Sequence, residues 1–307
     1  MTPEILVGMG GWVLPSFDGR FYPSQTGKGF RKLQYYSRFF DMVEVNATFY
    51  TTSLTPKQAR QWLTDVAANK RFTFTVKLYQ GFTHKFDATQ EDAGAIHALL
   101  EPLVKAEKLG GLVLQFPYSF MRAKEREQYL LKLGKTFQSY MLFVEFRHDS
   151  WNHPDAFRFL KENKFRLINV DLPNIKRHMP MTGEAWGEEA YFRLMGRNKE
   201  SWDRGGVPER YNYFYSAEEL KGFFDRISAV KSSVRKVFVV FHNDPQANSA
   251  VNGFQLKHMI DTRKPLQVPE PLMKSFPDLA GIATAIPVAS ESTPLFTVRR
   301  KENSGSS

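Results

Sequence analysis

Eight short apolar runs recur along the chain, with room for a helix after most of them. Each is rich in β-branched and aromatic residues: EILVG (4–8), MVEVN (42–46), FTFTVK (72–77), GLVLQF (111–116), MLFVEF (141–146), RLINVD (166–171), AYFRLM (190–195) and KVFVVF (236–241). Buried strands that alternate with helical patterns are typical of βαβ units with a parallel sheet. Eight such units favour a single (β/α)8 TIM barrel, an α/β fold, over an open doubly wound sheet.

Local signals support helices between these runs. Ser216 and Glu219 have the spacing of a capping box, which begins a helix. Gly110, Gly111 and Gly134 are expected to end helices before the next strand, because glycine is favoured just past a helix C-terminus. The pattern therefore predicts a helix before most strands.

The rhythm of strands and helices fades after residue 261. Six prolines interrupt the remainder, which ends in ENSGSS. We expect residues 1–261 to form the barrel domain and residues 262–307 to form a proline-containing, partly disordered extension. Segments 172–189 and 196–214 are predicted to be long loops after strands, where TIM barrels build or cover their sites.

The charge balance indicates an anionic partner. The 307 residues include 42 Lys and Arg against 32 Asp and Glu, for a formal net charge of +10. A basic protein attracts phosphorylated metabolites, nucleic acids and anionic surfaces. A small anionic substrate is the first expectation, and a nucleic acid is the alternative.

Composition also bears on location. The chain has no cysteine, which argues against a disulfide framework or a thiolate metal site. It has no apolar run of 18 residues, so no membrane span is predicted. The N-terminus MTPEILVGMGGW lacks the pattern of a secretory signal. We expect a cytoplasmic protein, and the sequence does not indicate its oligomeric state.

Polar residues follow the carboxyl ends of nearly all the predicted strands. In TIM barrels those ends surround the active site, so these side chains are expected to meet there. In strand order they are Trp12; Glu44, Asn46 and Tyr50; Lys77 and His84; Gln115; Glu145, Arg147 and His148; Asp171; Arg193; and His242 and Asn243.

The octapeptide VEFRHDSW (144–151) concentrates ionisable groups where a buried strand ends. Alternation along a strand places Glu145 and Arg147 on one face, toward the barrel interior. Arg147 is suited to clamp a carboxylate or phosphate, and pairing with Glu145 or Glu44 is the structural alternative. His148 is either a general base or a capping residue.

Several segments together resemble the YecE-like family, a domain of unknown function numbered 72. The resemblance runs from about residue 4 to 260 and rests on GMGGW (8–12), VEVNATFY (43–50), FTFTVK with TH (83–84), LQFPYSF (114–120), VEFRHDSW, YFRLMGR (191–197) and YFYSAEEL (213–220). It implies a TIM barrel and no established activity. Members of this family commonly have serine near Gly10, histidine at Met195 and asparagine at His242, so the chain departs from the pattern at three places.

The strand ends and the resemblance together define a candidate site, to which the resemblance adds Tyr215. The catalytic candidates are Glu44, Glu145, His148 and Asp171. The substrate-binding candidates are Trp12, Asn46, Tyr50, Lys77, His84, Gln115, Arg147, Arg193, Tyr215, His242 and Asn243. This set favours an enzyme, a hydrolase, lyase or isomerase, acting on an anionic sugar- or phosphate-containing substrate. The glutamates would serve as acid or base, and Lys77, Arg147 and Arg193 would hold the anion.

Two other functions stay open. One is a nucleic-acid-processing enzyme in which Trp12, Tyr50 and Trp202 stack on bases. At the level of the fold, the barrel family is broadly similar to apurinic-site endonucleases and to metal-dependent sugar isomerases. The other is a non-catalytic binding module whose charges pair internally, with Arg193 bound to Asp171 as one such pair.

The cofactor is unknown from the sequence. Carboxylates and an imidazole at the strand ends offer ligands to a divalent metal. However, neither HxH nor HExxH spacing occurs, so no residue is assigned to a metal. A P-loop and a glycine-rich dinucleotide motif after a strand are also absent, which gives no indication of a nucleotide cofactor.

Overall fold

Parallel strands close into a barrel in the computed structural model, which describes residues 3–204, 207–263 and 265–287. Within those ranges the barrel strands are β1 (Glu4–Met9), β2 (Met42–Val45), β3 (Thr73–Lys77), β4 (Leu109–Gln115), β5 (Leu142–Glu145), β6 (Phe165–Asp171), β7 (Glu189–Leu194) and β8 (Lys236–Phe241). Each strand pairs with the next along the chain, and β8 pairs with β1 from Lys236 opposite Glu4 to Phe241 opposite Met9. The predicted TIM barrel is confirmed.

Helices surround this barrel. They are α1 (Lys32–Tyr36), α2 (Ala47–Tyr50), α3 (Pro56–Asp65), α4 (Gln90–Lys105), α5 (Lys124–Thr136), α6 (Pro154–Glu162), α7 (Lys199–Arg204), α8 (Val207–Arg210), α9 (Ala217–Val230), α10 (Asn248–Ile260) and α11 (Glu270–Ser275). The predicted capping box begins α9: Ser216 N–H donates to Glu219 at 2.9 Å, and Glu219 N–H donates back to Ser216 Oγ at 3.2 Å.

Three glycines have a different role from the predicted one. Gly110 and Gly111 lie inside β4, and Gly134 lies inside α5, so the prediction that they end helices is wrong. A Cβ on Gly110 would lie 2.9 Å from the ring of Phe238, and one on Gly134 would lie 2.9 Å from the ring of Phe165. The absence of a side chain therefore allows large rings to pack directly on the backbone.

Aromatic rings fill the barrel interior below its mouth. Phe143, Tyr191 and Phe238 are fully buried, and their ring centroids lie 4.9 to 5.7 Å apart. The Tyr191 hydroxyl reaches Thr75 Oγ1 at 2.8 Å. Since successive inward side chains on a strand are two residues apart, Arg193 lies one step above this layer, toward the mouth.

Residues beyond the predicted barrel boundary also pack on the protein. A short strand β9 (Leu266–Pro269) pairs in parallel with β10 (Ala283–Ile286), and α11 lies between them. Val268, Leu272 and Leu279 are buried in the main hydrophobic core. Residues 265–287 of the predicted extension are therefore packed, whereas residues 288–307 lie outside the described part.

Helix lengths and hydropathy bear on membrane insertion. Over the described residues, every helix is too short or too polar to cross a bilayer.

Candidate functional site

The carboxyl ends of the strands bring five of the predicted residues to one place. Glu44 and Arg193 are the second-to-last residues of β2 and β7, Lys77 and Glu145 are the last residues of β3 and β5, and His242 directly follows β8. Charge interactions connect Lys77 with Glu44, Glu145 and Arg193, and connect His242 with Glu44 and Arg193. These five residues are called the mouth cluster below.

Arg193 lies between the two glutamates of the mouth cluster. Its Nη2 is 2.8 Å from Glu44 Oε1, and its Nη1 donates to Glu145 Oε2. The side chain of Arg193 is 1% exposed, and those of both glutamates are 0% exposed. A buried charge is tolerated only when it is paired, and one arginine here serves two carboxylates.

The remaining oxygen of Glu44 is held from below. Tyr191 donates its hydroxyl to Glu44 Oε2 at 2.8 Å, and Thr75 contacts the same hydroxyl at 2.8 Å. Sequence reasoning missed Tyr191. It lies two residues before Arg193 on the same strand, and residues with this spacing face the same side of a strand, so its inward direction could have been predicted. The tyrosine connects the packed interior to the charged layer.

These contacts keep both glutamates ionised. Burial alone would raise the pKa of Glu44, but Arg193 and then His242 lower it well below its usual range. Burial likewise acts to raise the pKa of Glu145, but the charges of Arg147 and Arg193 outweigh it and lower this pKa below its usual value. The two predicted acid–base residues are therefore stable anions at neutral pH.

Arg147 contacts the outer side of the cluster. Its Nε lies 2.6 Å from Glu145 Oε1, but the N–H is not directed along a hydrogen bond. Its guanidinium lies 5.8 Å from the ring centroid of Trp202, which is in α7. Of the two alternatives for Arg147, the pairing with Glu145 is present, and within the described part of the chain no hydrogen bond to its Nη groups occurs.

Lys77 differs from the other cations of the site. Its Nζ lies 4.0 Å from the ring centroid of Phe49, and in the described part of the chain it forms no ion pair with Glu44 or Glu145. Burial first, and then the charge of Arg193, lowers the pKa of Lys77 to about 7. Its ammonium group therefore loses its proton near neutral pH.

His242 of the mouth cluster and the nearby His84 are neutral at pH 7. Burial and the neighbouring cations lower the pKa of His84 and of His242 to about 4. His84 contacts the ring of Phe49 at 4.9 Å, and its Nδ1 lies 2.9 Å from Thr83 Oγ1. His242 Nε2 lies 3.2 Å from Glu44 Oε1 and 3.0 Å from Arg193 Nη2.

His242 and Gly10 depend on each other sterically. A Cβ on residue 10 would overlap the imidazole of His242. The imidazole of His242 therefore occupies the space that a side chain at position 10 would need. Asn46 closes this corner by donating its Nδ2 to the Gly10 carbonyl at 2.7 Å.

We expect Gly10→Ser to lower the free energy of unfolding by about 1–3 kcal/mol, because overpacking forces the imidazole off its contacts. The same substitution should cost much less in the His242→Asn background, with a coupling of at least about 0.5 kcal/mol. Urea unfolding of the parent, both single variants and the double variant measures it. Equal costs in both backgrounds would show that the two residues are independent.

Asp171 and Tyr215 form a separate buried group. Arg197 donates to Asp171 at 2.8 to 3.0 Å, and Tyr215 donates its hydroxyl to Asp171 Oδ2 at 2.7 Å. Arg197 also reaches Glu219 at 3.0 Å. The predicted pair of Arg193 with Asp171 is wrong, because Arg193 reaches the two glutamates across the barrel.

His148 lies in a capping position. Its Nδ1 accepts from the Ser150 N–H at 3.1 Å and begins the short 3-10 helix Asp149–Trp151. Burial lowers its pKa. The capping role predicted for this residue is therefore present, and its role as a general base stays a prediction.

The other predicted residues lie around the mouth with local partners. Gln115 donates to the Phe116 carbonyl at 2.9 Å, and Asn243 donates to Tyr213 O and Asn252 Oδ1 at 2.9 and 2.8 Å. Trp12 packs edge-on against Trp62, and Tyr50 is exposed beside Phe49. Phe49, which sequence reasoning left out of the site, contacts both Lys77 and His84.

Neither a cluster of metal ligands nor a surface groove marks the candidate site among the described residues. Among the described residues, no three His, Asp or Glu side chains lie together as a metal site would need. A surface groove of about 520 Å³ between α4 and α5 is lined by Gln90, His97, Lys132 and Thr136, among others. It contains none of the mouth cluster, so the chemistry of the side chains, and not the size of a groove, locates the candidate site.

Comparison with known proteins identifies relatives of this chain. Residues 6–275 match the family described as "Protein of unknown function DUF72". The UPF0759 protein YunF of Bacillus subtilis (strain 168) is 30% identical over 274 residues, which cover 84% of this chain and 95% of that protein.

Solved structures give the same result. A DUF72 family protein (TM1631) of Thermotoga maritima MSB8 has a TM-score of 0.75 and 31% identity, over 84% of this chain and 99% of that one. A DUF72 family protein (EF0366) of Enterococcus faecalis V583 has a TM-score of 0.72 and 25% identity, over 84% and 95% of the two chains.

Proposed function

Since this chain belongs to the DUF72 family of proteins of unknown function, we propose its function from its own site: it is an enzyme that binds a small anionic sugar- or phosphate-containing substrate at the barrel mouth. The active sites of TIM barrels lie at this end of the strands. The reaction is a hydrolysis, elimination or isomerisation that needs a proton transfer beside the bound anion.

The observation that carries this proposal is the unpaired charge of Lys77. Glu44 and Glu145 are matched by Arg193 and Arg147, and the described residues supply no carboxylate ion pair to Lys77. The neighbouring histidines are neutral at pH 7. An anion that enters the mouth would therefore find one cation whose charge is not yet compensated.

The same observation favours an enzyme over an internally paired scaffold. In a scaffold, every charge at the mouth would have a partner, as Asp171 does with Arg197. Lys77 instead lies against an aromatic face, where its charge costs free energy because of burial and nearby cations. Strained ionisation of this kind is typical of functional sites.

We propose that the acid–base role belongs to Lys77 in preference to the glutamates. An effective acid or base has a pKa near the working pH, and the pKa of Lys77 is about 7. Glu44 and Glu145 are held as anions, and the Nδ1 of His148 is occupied by a backbone N–H. In this proposal the glutamates position Arg193 and Arg147, and Arg147 offers its Nη groups to the substrate anion.

Sulfate binding tests the proposal, because the charge of sulfate is constant over the relevant pH range. We expect Lys77→Met to weaken sulfate binding at pH 6 at least about tenfold, since a charge-assisted hydrogen bond contributes about 1.5–3 kcal/mol. Binding by the parent should also weaken as pH rises from 6 to 8.5, because Lys77 loses its charge. Isothermal titration calorimetry measures both effects.

Lys105→Met is the matched control, because Lys105 is exposed and pairs with Glu101 on the same helix, α4. It should bind sulfate like the parent. Parent binding that is independent of pH, together with unchanged binding by the Lys77→Met variant, would contradict the proposal.

A further inference from the structure

We infer that Lys77 is a nucleophile that forms an imine with the carbonyl group of an anionic aldehyde or ketone, such as a 2-oxo acid or a phosphorylated sugar in its open form. The inference rests on the proposed function and deepens it, because it names the reactive group of the substrate. Lysine amines form such imines with carbonyl substrates in covalent catalysis.

The position of the amine is the first support. Lys77 is the last residue of β3, at the mouth, and its Nζ contacts the face of Phe49. In the described part of the chain no hydrogen bond holds this Nζ. Lys257 shows the contrast, because its Nζ donates to the Phe39 carbonyl and is fixed as a structural group.

The surrounding charges are the second support. Only the unprotonated amine has a lone pair for attack, and a lysine that is desolvated beside other cations is activated in this way. Burial and Arg193 act against the ammonium form, Glu44 and Glu145 favour it, Arg147 opposes it further, and the pKa of Lys77 is about 7. About half of the molecules then carry a free amine at neutral pH.

The neighbouring cation selects the substrate class. Arg147 is close enough to Lys77 to affect its charge, and its Nη groups are suited to bind a carboxylate or phosphate. A ligand that satisfies both residues has a carbonyl carbon for Lys77 and an anionic group for Arg147. Neutral aldehydes satisfy only the first requirement.

The chemical step balances without an oxidant or reductant. The Nζ lone pair attacks the carbonyl carbon, the new C–N bond forms, and the carbonyl oxygen takes up a proton. That proton comes from the nitrogen and gives a neutral carbinolamine. Its hydroxyl takes up a second proton and leaves as water while the C=N bond forms, and the iminium nitrogen then releases its last proton, so the two protons of the amine account for the two of the water. His84 is neutral and contacts the same Phe49 ring, so it is placed to carry protons between these steps.

Reductive trapping tests the inference on the intact protein. The protein is incubated at pH 7 with glyoxylate and sodium cyanoborohydride, and the modified lysines are mapped by peptide mass spectrometry. We expect Lys77 to be modified at least about tenfold faster than the exposed Lys105, because an ordinary lysine is almost fully protonated at this pH. Lys257 should also be modified more slowly than Lys77, because the amine of Lys257 is hydrogen-bonded.

Two further readouts define the outcome. Glyoxylate should modify Lys77 faster than acetaldehyde does, and the rate at Lys77 should rise with a midpoint near pH 7. In a Lys77→Arg variant the rapid modification should be lost, and the pH profile of the parent supplies the same test if that variant does not fold. Modification of Lys77 no faster than Lys105 would overturn the inference.

Failure of the imine and failure of the proposed function are distinguishable. Sulfate binding that depends on Lys77, without trapping, would overturn the imine and leave anion binding in place. Trapping at Lys77 by glyoxylate and acetaldehyde at equal rates, with no sulfate binding, would support the nucleophile and overturn the anionic substrate.

Discussion

Replacing Arg193 by methionine is expected to lower the free energy of unfolding by about 3–5 kcal/mol, the cost of breaking a buried ion pair from one side. Arg193 is the shared partner of Glu44 and Glu145, and all three side chains are buried. Methionine preserves much of the volume but leaves Glu44 without its main cation and Glu145 with Arg147 alone. The effect should appear in urea unfolding followed by circular dichroism at pH 8.

The dependence of this loss on pH follows from the two glutamates. In the parent their pKa is lowered, so their stabilisation is present above the unfolded pKa of about 4.3 and is lost as pH falls below it. In the variant, burial without Arg193 raises their pKa above the unfolded value, and protonation relieves the stranded charge as pH falls. The deficit of Arg193→Met should therefore be larger at pH 8 than at pH 5.

Two controls isolate the stranded charge. Arg158→Met removes a 66% exposed arginine that pairs with Asp155 on α6, and should change stability by less than about 0.5 kcal/mol. The triple variant Glu44→Gln, Glu145→Gln, Arg193→Met should recover part of the loss, because neutral amides need no cation. A loss for Arg193→Met no greater than for Arg158→Met would contradict the proposed energetics.

Replacing Trp151 by alanine is expected to cost about 3–5 kcal/mol, the range for removing a large aromatic side chain from a core. Trp151 is fully buried and stacks on Phe146 with a centroid distance of 4.0 Å. Its Nε1 donates to the Phe120 carbonyl at 2.8 Å, which would lose its partner. Urea unfolding at pH 7 measures the change.

Leu131→Ala is the control for Trp151→Ala. Leu131 lies on α5 and is 42% exposed, so its truncation should cost less than about 1 kcal/mol. Trp151→Phe should fall between the two, since it keeps an aromatic ring on Phe146 but loses the hydrogen bond. If Trp151→Ala costs no more than Leu131→Ala, the stack does not support the end of β5.

The octapeptide VEFRHDSW shows which features the local sequence pattern predicts and which it does not. Alternation along the strand correctly separated Glu145 from Phe146, because neighbouring strand residues face opposite sides. It did not distinguish a catalytic His148 from a capping one, since both need a histidine just past a strand. Only the Ser150 N–H directed at Nδ1 shows the cap.

The sequence by itself determined the barrel and the end at which its polar residues gather. Strand and helix periodicities are local, and the carboxyl ends of parallel strands must share one rim. The same local reasoning wrongly assigned Gly134 to the end of a helix. Its lack of a side chain makes room for the ring of Phe165, which is distant in the chain.

Only the tertiary structure decided which charges pair. Arg193 pairs with two glutamates across the barrel, and Asp171 pairs with Arg197. Lys77 contacts the ring face of Phe49 and not a carboxylate of the described residues. Pairing depends on the distance and direction between side chains from different strands, and spacing along the chain contains neither. The reactivity that we propose for Lys77 has this origin: the same amino acid on an open surface would remain an ordinary ammonium group.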